Sequence, residues 1–123
     1  MPWMIQNDRP IYLQLIEQIK LRILSGAYQS GEHFPSVREL AAEAAVNPNT
    51  MQKALVSLEQ EGLLIGSRTN GRIVTDNQSL IHTLRSELAE QNYKQFHQSL
   101  LELGYSEEDI SEFLMQQQKR RIL

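Results

Sequence analysis

The sequence predicts a mainly α-helical fold with one small β-hairpin. Apolar residues recur every three or four positions through most of the chain, the spacing of a helix with one buried face. Ser36 and Asn47, which are typical helix N-caps, precede two of these stretches. Asn70 and Gly71 form the strongest short hairpin signal and separate two strand-like runs. Together these observations predict three helices, a hairpin and a helical tail, in that order.

The first predicted helix includes Pro10 near its start and ends before Gly26. Proline suits the first turn of a helix, and glycine suits the left-handed position that follows one. The next loop has room for a very short extended piece at residues 32–34. The apolar face of this helix consists of Tyr12, Leu15, Ile16, Ile19 and Ile23.

Two short helices follow. The second predicted helix begins with a capping box at Ser36 and ends near Ala45, and the third begins with Asn47 as its cap and stops before Gly62. A connection of only a few residues is typical of a helix-turn-helix, in which the front end of the second helix protrudes. The residues expected to face the core are Val37, Leu40, Ala41, Ala44, Met51, Ala54, Leu55 and Leu58.

The hairpin completes the first predicted domain. The runs LLIGSR and RIVT read as strands on either side of the Asn-Gly turn. Three helices followed by a hairpin describe a winged helix-turn-helix, which we predict for residues 1–76.

Residues 77–123 predict a C-terminal two-helix dimerisation segment. A long helix ends at Gly104, and a capping box of Ser106 and Asp109 starts a shorter one. Such a pair buries little by itself, so we expect two copies from two chains to share a core. The alternative is that both helices pack on their own winged helix. The residues expected at the dimer interface are Leu84, Leu88, Phe96, Leu100, Leu103, Ile110, Phe113 and Leu114.

Composition narrows the classes of function. The formal net charge of -3 gives no general attraction to nucleic acid or to anionic membranes, so binding of a polyanion would need a local patch. There are no cysteines, no signal segment and no apolar run near the roughly 20 residues that span a bilayer, so we expect a cytoplasmic protein without a membrane partner. The histidines lack metal-ligand spacing, and no catalytic motif is visible, so we expect neither an enzyme nor a metal or cofactor.

Polar side chains are concentrated at the start of the third predicted helix. Asparagine and glutamine offer a donor beside an acceptor, which matches an adenine edge in the major groove. Such a helix tip is more often a cap and a solvated face, but the flanking helix and hairpin favour DNA binding. We expect base contacts from Arg38, Asn49 and Gln52. The full set of expected DNA-binding residues is Ser36, Arg38, Asn47, Pro48, Asn49, Thr50, Gln52, Lys53, Arg68, Asn70, Gly71 and Arg72.

The charge of the predicted winged domain limits its affinity. Residues 1–76 contain seven basic and eight acidic residues, so few phosphate contacts are available. Binding by one protomer should be modest and strongly salt dependent, which favours a dimer that binds a pseudo-palindromic site. An alternative function is a protein-interaction module that does not bind DNA.

The stretch GEHFPSVRELAAEAAVNPNTMQKALVSLEQEGLL, with RTNGRIV after it, resembles the DNA-binding domain of the GntR family of bacterial transcription regulators. Its P-S-x-R-x-L-A, V-N-x-x-T and L-x-x-x-G-L elements are specific when found together. The tail, with LGYSEEDISEFL, resembles the YtrA branch, whose members are dimers without a large effector domain. The resemblance implies a repressor of its own operon, often one encoding an ABC transporter. It also implies DNA contacts at Arg38, at residues 47–49, at Gln52 and at Gly71.

The chain departs from the family pattern in the wing and in the third predicted helix. Thr69 replaces the first glycine of the wing, and Ile73 replaces an aromatic residue. Gln52 and Lys53 stand where many members have arginine. The resemblance therefore indicates the class of activity, but neither the operator sequence nor a small-molecule effector.

Overall fold

The computed structural model describes residues 2–67 and 71–122, and it confirms the predicted fold class, a mainly α-helical winged helix-turn-helix with a two-helix tail. The chain divides into two compact units, Met1–Leu84 and Arg85–Leu123. The elements in chain order are α1 (Ile11–Leu24), α2 (Val37–Ala44), α3 (Pro48–Gln60), β1 (Leu64–Ser67), β2 (Gly71–Val74), α4 (Gln78–Glu102) and α5 (Glu107–Ile122).

An N-terminal strap, residues 2–10, is held against α1 by two glutamine side chains one helical turn apart. The Gln14 carboxamide accepts from the Gln6 N–H at 2.7 Å and donates to the Gln6 carbonyl at 2.7 Å. Gln18 does the same for Met4, at 3.0 Å and 2.6 Å. Each amide thus satisfies both backbone groups of one strap residue, as a neighbouring β-strand would.

The predicted starts of α2 and α3 are confirmed by their caps. The Ser36 hydroxyl accepts from the Glu39 N–H at 3.2 Å, and the Asn47 side chain accepts from the Asn49 N–H at 2.8 Å. Between the two helices, Ala45 takes a left-handed conformation with φ of 57°. The helices joined by this turn, α2 and α3, pack against each other, and α3 also packs on α1.

The wing is an antiparallel pair in which Leu64 lies opposite Val74 and Ser67 lies opposite Gly71. The predicted extended piece at residues 32–34 is also confirmed, since His33 forms an isolated bridge to β2. The Phe34 N–H donates to the Arg72 carbonyl at 2.9 Å. The loop before α2 therefore covers one edge of the wing.

The second unit is a helical hairpin formed by the C-terminal part of α4 and by α5. Gly104, with φ of 94°, follows α4 as predicted. The Ser106 hydroxyl accepts from the Asp109 N–H at 3.1 Å, and the Asp109 carboxylate accepts from the Ser106 N–H at 3.0 Å, which confirms the second capping box. Leu100 and Ile110 are buried, with 7% and 3% of their surface exposed.

Two classes of feature are missing from the part of the chain that the structure describes. No helix there combines the length and the apolar character needed to cross a membrane. No cluster of three or more histidine or acidic side chains there is placed to hold a metal ion.

Candidate nucleic-acid interface

The N-terminal half of α3 has one buried face and one exposed face. Met51 and Ala54 are fully buried and fix the helix against the core. Asn49, Gln52 and Lys53 are exposed on the other side. A three-residue turn joins α2 to α3, an arrangement typical of a helix-turn-helix, in which the start of the second helix protrudes.

The electrostatics at the start of α3 favour an anion. Its first turn contains no acidic residue, so the positive end of the helix dipole is not compensated there. Arg38 is exposed near the start of α2 and makes no hydrogen bond or ion pair with any residue that the structure describes. The Asn49 side chain also has no hydrogen-bond partner within the described ranges. Both side chains are therefore available to a ligand.

Two of the predicted contact residues use their side chains as helix caps. The hydroxyl of Ser36 and the carboxamide oxygen of Asn47 each accept a backbone N–H of the helix that they precede. Pro48 is the first residue of α3 and is exposed, while Thr50 is half-buried. Ser36 and Asn47 therefore fix where α2 and α3 begin.

Lys53 is held by α1. Its ammonium lies 3.8 Å from the centroid of the Tyr12 ring, a cation–π contact of about 0.5–1 kcal/mol at an exposed site. The contact keeps the charge beside the exposed face of α3. Tyr12 was expected only as a core residue of the first helix, and the structure leaves it half-buried.

The wing is connected to α3 by Arg72. Its Nε donates to the Glu59 carboxylate, and its NH2 group donates to Gln52 Oε1 at 3.4 Å. The Arg72 side chain is only 17% exposed. Its charge is therefore compensated within the protein, in contrast to Arg38.

Ser36, Gly71 and Arg72 line one surface groove of about 650 Å³ together with residues 33–35. The groove separates the start of α2 from β2. Gly71 is exposed and has φ of 69°, a conformation that glycine adopts without strain. The structure thus brings these three predicted residues together, whereas Arg68 and Asn70 lie outside the described residues.

The residues predicted at a dimer interface fall into three groups. Leu100 and Ile110 are buried within the hairpin of one chain. Phe96 and Leu103 are exposed, by 42% and 73%. The remaining residues are partly buried, and they are Leu84, Leu88, Phe113 and Leu114.

The chain is similar in sequence to known bacterial regulators. The family model described as "Bacterial regulatory proteins, gntR family" matches residues 11–74. The "Uncharacterized HTH-type transcriptional regulator YhcF" of Bacillus subtilis is 32% identical over 107 residues, which cover 87% of this chain and 88% of YhcF. The "HTH-type transcriptional repressor YtrA" of the same organism is 42% identical over 72 residues, covering 58% of this chain and 55% of YtrA.

The structural comparison extends over nearly the whole chain. A "GntR family transcriptional regulator from Listeria monocytogenes" superimposes with a TM-score of 0.82 at 32% sequence identity. The match covers 90% of this chain and 97% of the Listeria chain. The likeness therefore includes both the winged helix and the helical tail.

Proposed function

Because the chain belongs to the gntR family of bacterial regulatory proteins, we propose that it is a repressor that binds a pseudo-palindromic operator as a homodimer. As a family member it is a transcriptional regulator with a DNA-binding domain, it is not an enzyme, and its relatives place it in the YtrA branch. The repressor assignment is supported by the similarity to YtrA of Bacillus subtilis, an HTH-type transcriptional repressor. In this proposal residues 1–76 bind DNA and residues 77–123 form the dimer.

The observation that most supports recognition of an operator is the exposure of polar side chains at the start of α3 and of Arg38 on the neighbouring helix α2, where Arg38 has no partner among the described residues. A helix of 13 residues is about 20 Å long and fits the major groove. Arg38 can donate twice to a guanine, and the Asn49 carboxamide can pair with an adenine edge. Arg38, Asn49 and Gln52 are our proposed base contacts.

Backbone contacts would come from other groups. The proposed phosphate contacts use Lys53 and Thr50, whose backbone N–H is the one left uncapped at the start of α3. In the wing, Gly71 has no side chain and permits close approach of a DNA backbone. The domain has few basic residues, which limits the number of phosphate contacts. Two domains in one dimer would double that number.

A substitution of Gln52 tests whether this side chain recognises a base of the operator. We expect Gln52→Ala to relax the preference at one position in each half-site of the operator, because a single side chain reads that position. The matched control is Gln60→Ala, which removes the same side chain from the exposed C-terminal end of α3. Both are measured by fluorescence anisotropy on duplexes enriched from a randomised pool and on random duplex.

Two results would count against the proposal. If Gln52→Ala weakened binding equally on enriched and random duplexes, Gln52 would not read bases. If the wild-type chain bound no duplex at micromolar protein and low salt, DNA binding itself would be refuted. The protein-interaction module would then be the better assignment.

The dimer is tested at the exposed apolar side chains of the second unit. Phe96→Glu places a charge where we propose burial between chains, so we expect a shift to monomer and a loss of operator affinity. Gln95→Glu adds the same charge to an already exposed polar position of α4 and should remain dimeric. Analytical ultracentrifugation compares the two, and a dimeric Phe96→Glu variant would exclude this interface.

A further inference from the structure

We propose that Glu59 acts through Arg72 to fix the Gln52 carboxamide with its NH2 group outward, so that Gln52 reads guanine rather than adenine. This inference rests on the proposed operator binding. It adds a positioning residue, Glu59, which does not itself reach the base, and it assigns a base to one position of each half-site.

Glu59 is confined by the wing. It lies seven residues after Gln52 on α3, about two turns along the same face. β1 passes so close that a Cβ built on Gly66 would lie 3.1 Å from Glu59 Oε2. The carboxylate is therefore held between β1 and the Arg72 guanidinium, which donates to it through Nε.

Glu59 in turn fixes the position of the Arg72 guanidinium. Its guanidinium is anchored at Nε by Glu59, and its NH2 group extends to Gln52 Oε1 at 3.4 Å. A guanidinium is planar and rigid, so fixing one edge fixes the direction of its other donors. Glu59 thus determines where the donor that faces Gln52 lies.

The Arg72 guanidinium determines which end of the Gln52 carboxamide faces the groove. A guanidinium has only donors, so it must meet the carboxamide oxygen of Gln52 and not its nitrogen. The acceptor of Gln52 is then engaged, and its Nε2 offers two donor hydrogens to the groove. Guanine presents two acceptors there, O6 and N7, whereas adenine presents N7 beside a donor amino group. An amide held in this orientation therefore suits guanine.

The ion pair also limits what Arg72 adds to DNA affinity. While the Glu59 carboxylate compensates its charge, Arg72 contributes little to phosphate binding. Releasing Arg72 should therefore have two opposite effects, namely a loss of base preference and a gain in general affinity for DNA. A purely structural role for the ion pair would not produce this combination.

The test compares base preference with salt dependence. Wild-type protein first selects duplexes from a randomised pool, and the position read by Gln52 is the one whose preference disappears in Gln52→Ala. We expect guanine there, favoured over adenine on the order of fivefold or more. Replacing that guanine by 7-deazaguanine, which lacks the N7 acceptor, should weaken binding by wild type but not by Gln52→Ala.

Two variants then address the positioning residues. Glu59→Ala should reduce the guanine preference at least threefold, tighten binding to random duplex and steepen the logarithmic salt slope by about 0.9, the value for one added phosphate contact. Arg72→Lys keeps the charge but loses the two-point contact, so it should also lose the preference. Glu61→Ala is the matched control, since it removes a carboxylate directly after α3 that pairs with Lys20 instead.

Three results would contradict this role of Glu59, and they differ in whether they also contradict DNA binding. A wild-type chain that binds no duplex overturns both. A chain that binds but prefers adenine at this position overturns the inference alone. So does unchanged guanine preference in folded Glu59→Ala and Arg72→Lys, with folding checked by circular dichroism.

Discussion

The two compact units of this chain bury their apolar residues to very different degrees. In the first unit, Leu15, Leu40 and Leu58 come from three different helices, and each is fully buried. In the described part of the second unit, only Leu100 and Ile110 are buried. Three helices and a hairpin can enclose a core, whereas two helices leave one side of each helix open.

The difference shows which unit can be stable by itself. The exposed apolar side chains of the second unit, Phe96, Leu103 and Met115, would gain free energy only from burial against another surface. The stability of the first unit should therefore be independent of protein concentration. That of the second should rise with concentration if two chains associate.

The largest effect is expected from a core truncation in the first unit. Leu58→Ala removes a fully buried side chain and should lower the free energy of unfolding by about 2–5 kcal/mol. Leu103→Ala makes the same change at a residue that is 73% exposed, and should cost almost nothing in a dilute, monomeric sample. Urea denaturation at two protein concentrations measures both.

The concentration series is the control for this comparison. Leu58→Ala should lower stability equally at both concentrations, whereas any cost of Leu103→Ala should appear only at the higher one. Equal costs for the two variants in dilute solution would contradict the difference in burial.

A smaller effect is expected from the two glutamines that hold the N-terminal strap. Gln14 is fully buried, so Gln14→Ala leaves strap backbone groups without their partner and should cost about 1–3 kcal/mol. Gln18 makes equivalent bonds to Met4 in an exposed setting, where water can replace them, so Gln18→Ala should cost less than about 1 kcal/mol. Thermal unfolding compares the stability of the two variants. An equal loss of stability would show that burial does not determine how much these hydrogen bonds stabilise the fold.

The sequence predicts those parts of the fold that depend on local pattern. The caps at Ser36 and Asn47 and the capping box at Ser106 are confirmed because a cap needs only residues two or three positions apart. The buried face of α3 is confirmed for a similar reason, since helical spacing alone identifies it.

The candidate site was less predictable because its contacts connect distant residues. Gln52 and Arg72 are 20 positions apart, and Tyr12 and Lys53 come from different helices. Arg72 was expected among the DNA-binding residues, but the sequence did not indicate that its guanidinium is paired with Glu59, a residue to which no role was assigned. No periodicity encodes such pairs, since they depend on how the wing folds back on α3.

The smallest expected effect concerns the second unit and its capping box. The backbone N–H of Ser106, and then its hydroxyl, stabilise the charged carboxylate and lower the pKa of Asp109 below its ordinary value of 3.8. A carboxyl group whose pKa is lowered on folding stabilises the folded state fully above its unfolded pKa. This contribution is lost as the pH falls below about 3.8 and through the lowered pKa.

Asp109→Asn removes this titration while keeping a side chain that can cap. At pH 6 the wild type should be the more stable of the two, and the difference should shrink towards pH 3, because protonation removes the charge that the cap stabilises. Urea denaturation of the full chain at the two pH values measures the difference, and NMR titration of the Asp109 carboxyl gives its pKa directly. A stability difference that did not change with pH would mean that the charge of Asp109 contributes nothing. The hairpin would then depend on Leu100 and Ile110, and on whatever covers its exposed apolar side.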